Sequence, residues 1–295
     1  MPPIPPPRAS GYTETTDAPL YWAVYGPRGA PTLVVLHGGP GAHHDYLLPQ
    51  MLALADDYEL VFYDQRGGGR SKTDDRAPIT WETHVNDLAL VVAELEVDPL
   101  SLVGYSWGGL LALLYSIEAA ARRVSPMPDR LVLIDPAPVT RTYRTAFERE
   151  FARRQSDAGV VRLRADLAAS DLLGRDPDAY RQRAFELSVA GYFADPAARH
   201  DLTPFRVTGR VQQSVWDSLG DYNLLKPGAL DTVRIPALVV HGRQDPIPLA
   251  SSEAAASALG ARLVPIDGAG HVPYVEQPAA LFAAIREFLR STAAD

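Results

Sequence analysis

Three short segments of the chain carry the side chains that acyl-transfer chemistry needs. The first is Gly104-Tyr105-Ser106-Trp107-Gly108-Gly109, a serine in a G-x-S-x-G frame that follows an apolar run and opens a helical pattern. A strained strand-to-helix turn lifts such a hydroxyl clear of a sheet and leaves no room for side chains two residues to either side, hence the glycines. A serine hydroxyl is a weak nucleophile at neutral pH and needs a base that is itself held by an acid. His271 is the expected base, on the glycine-rich segment Asp267-Gly268-Ala269-Gly270-His271 after the last apolar run. Asp245, in His241-Gly242-Arg243-Gln244-Asp245-Pro246 after the run before it, is the preferred acid, and Asp135, which ends Leu133-Ile134-Asp135-Pro136, is its rival. The other histidines compete weakly: His43 and His44 follow a glycine loop, His84 falls in a helical pattern, His200 lies in the long segment between the fourth and fifth apolar runs and His241 ends a strand.

The tetrahedral intermediate of acyl transfer also needs two N–H donors for its oxyanion. Trp107, at the start of the helix after the serine, is expected to supply one. The loop His37-Gly38-Gly39-Pro40-Gly41 supplies the other, from Gly38 or Gly39. As a phosphate cradle this loop is poor, because no Gly-Lys-Ser/Thr follows it. A further glycine-rich segment, Asp64-Gln65-Arg66-Gly67-Gly68-Gly69-Arg70-Ser71, reads as an arginine-bearing turn tied by the Asp64 side chain.

Positioning these groups requires a rigid frame. Apolar runs rich in branched residues at 32–36, 60–63, 100–103, 131–134, 237–240 and 263–266 suit strands buried on both faces of a parallel sheet. Helical patterns at 81–95, 107–120 and 278–289 alternate with them, which makes an α/β sheet domain. Ahead of these, segments 12–16 and 20–25 read as an antiparallel hairpin at the sheet edge, after a proline-rich, extended tail at 1–9. About a hundred residues separate the fourth run from the fifth, where a crossover needs only about a dozen. The excess reads as helices at 142–156, 161–169, 177–190 and 206–218, an inserted cap. The expected division is a sheet domain at 10–138 and 229–295 interrupted by a helical cap at 139–228.

Composition narrows the function. With 28 basic and 36 acidic side chains the net charge is -8, which disfavours nucleic acid as a partner. The absence of cysteine removes disulfides, a thiol nucleophile and thiolate metal sites. Neither a metal nor a cofactor is expected. No apolar stretch is long enough for a membrane span and the first residues lack the order of a signal peptide, so the expectation is a cytoplasmic protein with no membrane partner. Oligomeric state is left open.

Taken together, HGGPG at 37–41, DQRGGGRS at 64–71, GYSWGG at 104–109, HGRQD at 241–245 and GAGH at 268–271 resemble the proline iminopeptidase branch of the α/β-hydrolase superfamily. The resemblance implies an α/β-hydrolase fold, Ser106 as nucleophile with Asp245 and His271, an oxyanion hole from the HGGPG loop and Trp107, and release of N-terminal proline or another small residue from a short peptide. It further implies cap glutamates that bind the substrate's free amine. Of the cap glutamates Glu148, Glu150 and Glu186, Glu186 is the preferred ligand; Asn223 stands where one subgroup has glutamate, and Asp221 is the nearby substitute. The alternative is an esterase or lactonase with the same triad and an apolar pocket walled by Trp107, Trp216 and Tyr222. A non-catalytic small-molecule receptor on the same scaffold is the remaining alternative.

Overall fold

The computed structural model describes residues 4–74, 76–195 and 202–291. Eight strands form one sheet: β1 (Ala9–Tyr12), β2 (Tyr21–Tyr25), β3 (Thr32–Leu36), β4 (Glu59–Tyr63), β5 (Ser101–Tyr105), β6 (Arg130–Ile134), β7 (Ala237–Gly242) and β8 (Arg262–Ile266). Their spatial order is β1-β2-β4-β3-β5-β6-β7-β8. Pairings β1–β2 and β2–β4 are antiparallel and all the others parallel. This is an α/β-hydrolase fold, and each of the six apolar runs falls in a parallel strand.

The runs are continuous rather than alternating because both faces of the sheet are covered. On one face Val34, Leu36, Val61, Tyr63, Leu102 and Leu133 pack with the helices α1 (Trp81–Glu94) and α2 (Trp107–Ala120). On the other, Leu33, Val35, Phe62, Val103, Ile134 and Val240 pack with residues of 46–54 and of the C-terminal helix. Burial of such side chains contributes about 1.5–3 kcal/mol each, so the central strands are fixed in register by both layers at once.

Between β6 and β7 the described residues hold no strand. They run through α3 (Arg141–Gln155), α4 (Ala158–Ala169), α5 (Leu172–Arg175), α6 (Pro177–Val189), a 3-10 turn at Ala190–Tyr192 and α7 (Gly209–Leu219). The chain then continues through α8 (Leu249–Leu259), α9 (Pro273–Glu276) and α10 (Pro278–Ser291). Val211 and Val215 of α7 join the core beneath Trp107, whereas α3 buries no residue and α4 only Val160. Among the described residues no helix is long and apolar enough to cross a membrane.

Two expectations change. The first hairpin strand is Ala9–Tyr12, not 12–16, because Ala9 to Tyr12 pair with Val24 to Tyr21. Segment 13–16 instead turns back, its Glu14 and Thr15 N–H groups donating to the Glu94 carboxylate at 2.9 Å. The proline-rich tail therefore ends earlier than expected: Arg8 N–H donates to Val24 O at 2.8 Å and its side chain pairs with Glu59. Helix α8, rich in alanine and serine, has no counterpart among the anticipated helices. His200 lies outside the described residues.

Candidate active site

Ser106 sits between β5 and α2 with φ 53° and ψ -119°, a backbone state that residues other than glycine rarely adopt. Its surroundings enforce it. Ser106 N–H donates to Ile134 O at 3.0 Å, and Ser106 O accepts from Ala137 N–H at 2.8 Å and Gly109 N–H at 3.0 Å. A side chain at Gly104 would meet Gly108 O at 2.4 Å, and one at Gly108 would meet Leu36 O at 2.1 Å, so both flanking glycines are steric necessities of the turn.

The loops after β7 and β8 bring two further groups to this point. His271 Nε2 lies 2.9 Å from Ser106 Oγ, and His271 Nδ1 lies 2.8 Å from Asp245 Oδ2. With Nδ1–H donating to the carboxylate, Nε2 is left as the acceptor for the serine proton. Ile247 N–H donates to Asp245 Oδ1 at 2.7 Å and fixes the carboxylate from its other side. The histidine is buried and clamped: its N–H donates to Tyr192 O at 2.7 Å, its carbonyl accepts from Tyr105 OH at 2.9 Å, and the Tyr192 ring stacks on it at 5.0 Å. Burial pushes His271 down to about 4, against the opposing charge of Glu276. Neutral imidazole is therefore the resting form across the physiological range.

The oxyanion candidates separate on their hydrogen bonds. Gly38 N–H donates to Tyr46 OH at 2.6 Å and is committed. Gly39, with φ 57°, lines the space in front of Ser106 together with Trp107. Trp107 N–H opens α2 and has no acceptor within the helix. The segment after β4 holds this arrangement in place. Gln65 Oε1 accepts from Trp107 Nε1 at 2.7 Å, Gln65 Nε2 donates to His37 O at 2.8 Å, and Gln65 N–H donates to His37 Nε2 at 3.0 Å. Asp64 accepts from His44 Nδ1 at 2.7 Å and from Arg70 N–H at 2.9 Å, the tied turn expected from the sequence.

Two cavities meet at Ser106 and His271. One, of about 250 Å³, is lined by Trp107, Arg144, Phe147, Glu148, Gln213 and Trp216 among others. The second, of about 370 Å³, is walled by Tyr46, Phe151, Phe185, Phe205, Val207 and Tyr274 and is lined by no Asp, Glu, Lys or Arg. Trp216 is thus at the site, and Arg144 stacks over its ring at 4.0 Å while donating to Glu148 at 2.8 Å. Three other expected substrate residues are not brought there. Glu186 lies on α6 bonded to Gln182 and Arg183, Asp221 lines a separate surface pocket with Arg141, and Tyr222 spends its hydroxyl on Pro138 O at 2.8 Å. The sequence missed Tyr46, Gln65 and Glu276; Glu276 accepts from Gly270 and Ala194 N–H at 2.7 Å each and ties the histidine loop to the insertion. Gln65 falls inside the segment at 64–71 but has no role assigned there by the sequence, and no motif marks Tyr46 or Glu276, whose partners are backbone N–H groups.

Asp135, His241 and Asp245 form a buried group with potential ligand atoms within 4.8 Å of one another. Both nitrogens of His241 are engaged, Nε2 with Ile247 O at 3.1 Å and Nδ1 with Ser252 Oγ at 2.9 Å, so the group offers no free imidazole lone pair to a metal.

A model of the alpha/beta hydrolase family matches residues 33–285. The chain belongs to the alpha/beta hydrolase family. This alpha/beta hydrolase is 41% identical over 102 residues to a proline iminopeptidase of Lactobacillus crispatus, a match covering 33% of the chain and 35% of that relative. The chain thus spans about a third of the length of the curated relatives it matches. Over its length it superposes on the crystal structure of a proline iminopeptidase from Mycobacterium smegmatis with a TM-score of 0.70 and 22% identity, covering 97% of this chain and 100% of the other. It also superposes on an enol-lactonase from Burkholderia xenovorans LB400 with a TM-score of 0.64 and 21% identity, covering 95% and 100%. At these identities both structures speak to the fold alone.

Proposed function

We propose that the chain is a serine hydrolase acting through an acyl-enzyme. The observation that carries this reading is the unbroken hydrogen-bond chain from Ser106 Oγ through His271 to Asp245, at 2.9 and 2.8 Å. Ser106 Oγ attacks the substrate carbonyl carbon as its proton passes to His271 Nε2. The oxyanion that forms is held by the N–H groups of Gly39 and Trp107. His271 returns the proton to the leaving group, and water, activated by the same histidine, then releases the acid.

For the substrate we infer a neutral carboxylic ester or lactone with an apolar acyl portion. The aromatic cavity beside Ser106 suits such a group and presents no carboxylate to an ammonium. Glu148, the one carboxylate lining either cavity among the described residues, is already paired with Arg144. Leaving a buried ammonium without its own partner costs about 3–5 kcal/mol. The second reading, an aminopeptidase that releases an N-terminal proline or small residue, is favoured by the likeness to proline iminopeptidases. It requires Glu148 to exchange Arg144 for the substrate amine.

The deciding experiment compares kcat/KM on p-nitrophenyl butyrate, proline β-naphthylamide and its N-acetylated form. The ester reading expects the ester to exceed both amides by at least about a hundredfold, with little effect of acetylation. A preference for the free-amine amide, lost by a factor of hundreds on acetylation, transfers the assignment to the aminopeptidase.

A further inference from the structure

The reaction proposed above uses one buried aspartate and leaves another, Asp135, unused beside it. Asp135 follows β6 with φ 40°, held by its N–H donating to Val240 O at 2.9 Å, and it is fully buried. Its Oδ1 accepts from Gly242 N–H at 2.8 Å, and Gly242 O in turn accepts from Asp245 N–H at 2.9 Å, so one turn carries both acids. Its Oδ2 is buried and reached by no N–H or hydroxyl donor. The Asp245 carboxyl lies alongside, one oxygen of each acid within 4.8 Å of the other.

Two ionised carboxylates cannot share so dry a space without a cation between them. His241 Nδ1 stands 3.7 Å from Asp135 Oδ1, but burial pushes this imidazole down to about 4 and it is neutral. Tyr105 and Tyr274, which also face the pair, are phenols held neutral by burial. Arg154 reaches the Gln244 carbonyl at 2.7 Å and bears on Asp245, while Glu276 adds negative charge. One proton must therefore sit on the pair. Asp245 receives two hydrogen bonds, from His271 and Ile247, that favour its ionised form, whereas Asp135 receives one, from Gly242.

We propose that Asp135 is a carboxylic acid in the folded protein and donates its Oδ2 proton to the Asp245 carboxylate, acting as a positioning residue for the acid that orients His271. It rests on the reading of Asp245 as that acid. Burial, followed by the charge of Asp245, pushes the Asp135 carboxyl well above its ordinary range in agreement with this arrangement. The donated bond holds Asp245 in the rotamer that meets His271 Nδ1 without placing a second negative charge in the core.

Two variants test it. Asp135→Asn keeps the shape, supplies an amide donor and tolerates a positive φ, whereas Asp135→Ala removes the group. Urea unfolding of the wild type and of Asp135→Asn is followed from pH 5 to 8. A carboxyl that keeps its proton when folded and loses it on unfolding makes the wild-type unfolding constant rise up to about tenfold more per pH unit than that of the variant. Equal slopes overturn the proposal, and this readout needs no substrate, so it is independent of whether the chain proves to be a serine hydrolase. The second readout is the pH dependence of Ser106 labelling by a fluorophosphonate. Asp135→Asn is expected to label at least about ten times faster than Asp135→Ala, with its acid limb close to that of the wild type. An acid limb lowered by about a unit or more in Asp135→Asn shows a charged Asp135 and overturns the proposal, as does equal labelling of the two variants.

Discussion

Helices α2 and α3 are almost equal in length, yet α2 buries eleven of its 14 residues and α3 buries none of its 15. The contrast extends to their surroundings. The sheet core fixes each candidate group through several independent restraints: Ser106 by four backbone hydrogen bonds and two flanking glycines, His271 by its backbone, its stacking partner and Asp245. The insertion contributes walls. Val161, Leu163 and Leu173 of α4 and α5 stand half exposed, and the charged pairs of α3 lie on its surface. On the proposed reading the chemistry falls to the over-determined region and selectivity to the loosely packed one.

The largest expected effect breaks the core side of this contrast. Asp245→Asn should lower kcat by roughly four orders of magnitude, because an amide favours the wrong tautomer of His271. Glu186→Gln and Asp221→Asn, which remove charges lining neither cavity, should leave ester turnover within about threefold, because neither side chain borders the space in front of Ser106. Steady-state kinetics of the three variants checks both statements, and comparable losses would erase the distinction between the regions.

Stability should follow the same division. Leu102→Ala, in the fully buried centre of β5, should cost about 2–5 kcal/mol in urea unfolding through lost burial and a cavity. Val161→Ala, on the half-exposed face of α4, should stay within about 0.5 kcal/mol.

Next in size is the pH dependence. Only neutral His271 accepts the serine proton, and burial lowers its folded value from 6.5 to about 4. Turnover should therefore persist below pH 6 and fall only as the pH approaches the folded value. Because the unfolded imidazole binds a proton at higher pH than the folded one, His271 also withdraws stability as pH falls below its unfolded value of about 6.5. A kcat/KM profile with its acid limb at 6.5 or above would show that the histidine is solvated. The smallest effect sharpens the insertion side: Glu148→Gln should change ester kcat/KM by less than about threefold, since the exposed Arg144 pair contributes little.

Much of the core was legible in the sequence because burial on both faces leaves an unmistakable mark. The run at 32–36 coincides with β3, and the serine, acid and histidine each stand at the end of a strand where loop chemistry is read most easily. Helix α8 was not legible, since its alanines and serines pack by smallness and give no strong apolar period. Nor were Tyr46 and Glu276, which act by accepting from backbone N–H groups, and the motif at 64–71 gave no sign of the bond between Gln65 and the Trp107 ring. Substrate residues in the insertion were the least legible. Glu186 and Asp221 were chosen from residue type, and which face of a loosely packed helix looks toward Ser106 depends on tertiary placement that residue type does not encode.

The most direct test of the central claim is to trap the acyl-enzyme. The protein is quenched in acid within the first turnover on p-nitrophenyl butyrate and its intact mass is measured, followed by peptide mapping. The account predicts a butyryl adduct on Ser106, accompanied by a burst of p-nitrophenol, and the loss of both in Ser106→Ala. An adduct on another residue, or turnover by Ser106→Ala within about tenfold of the wild type, would contradict it.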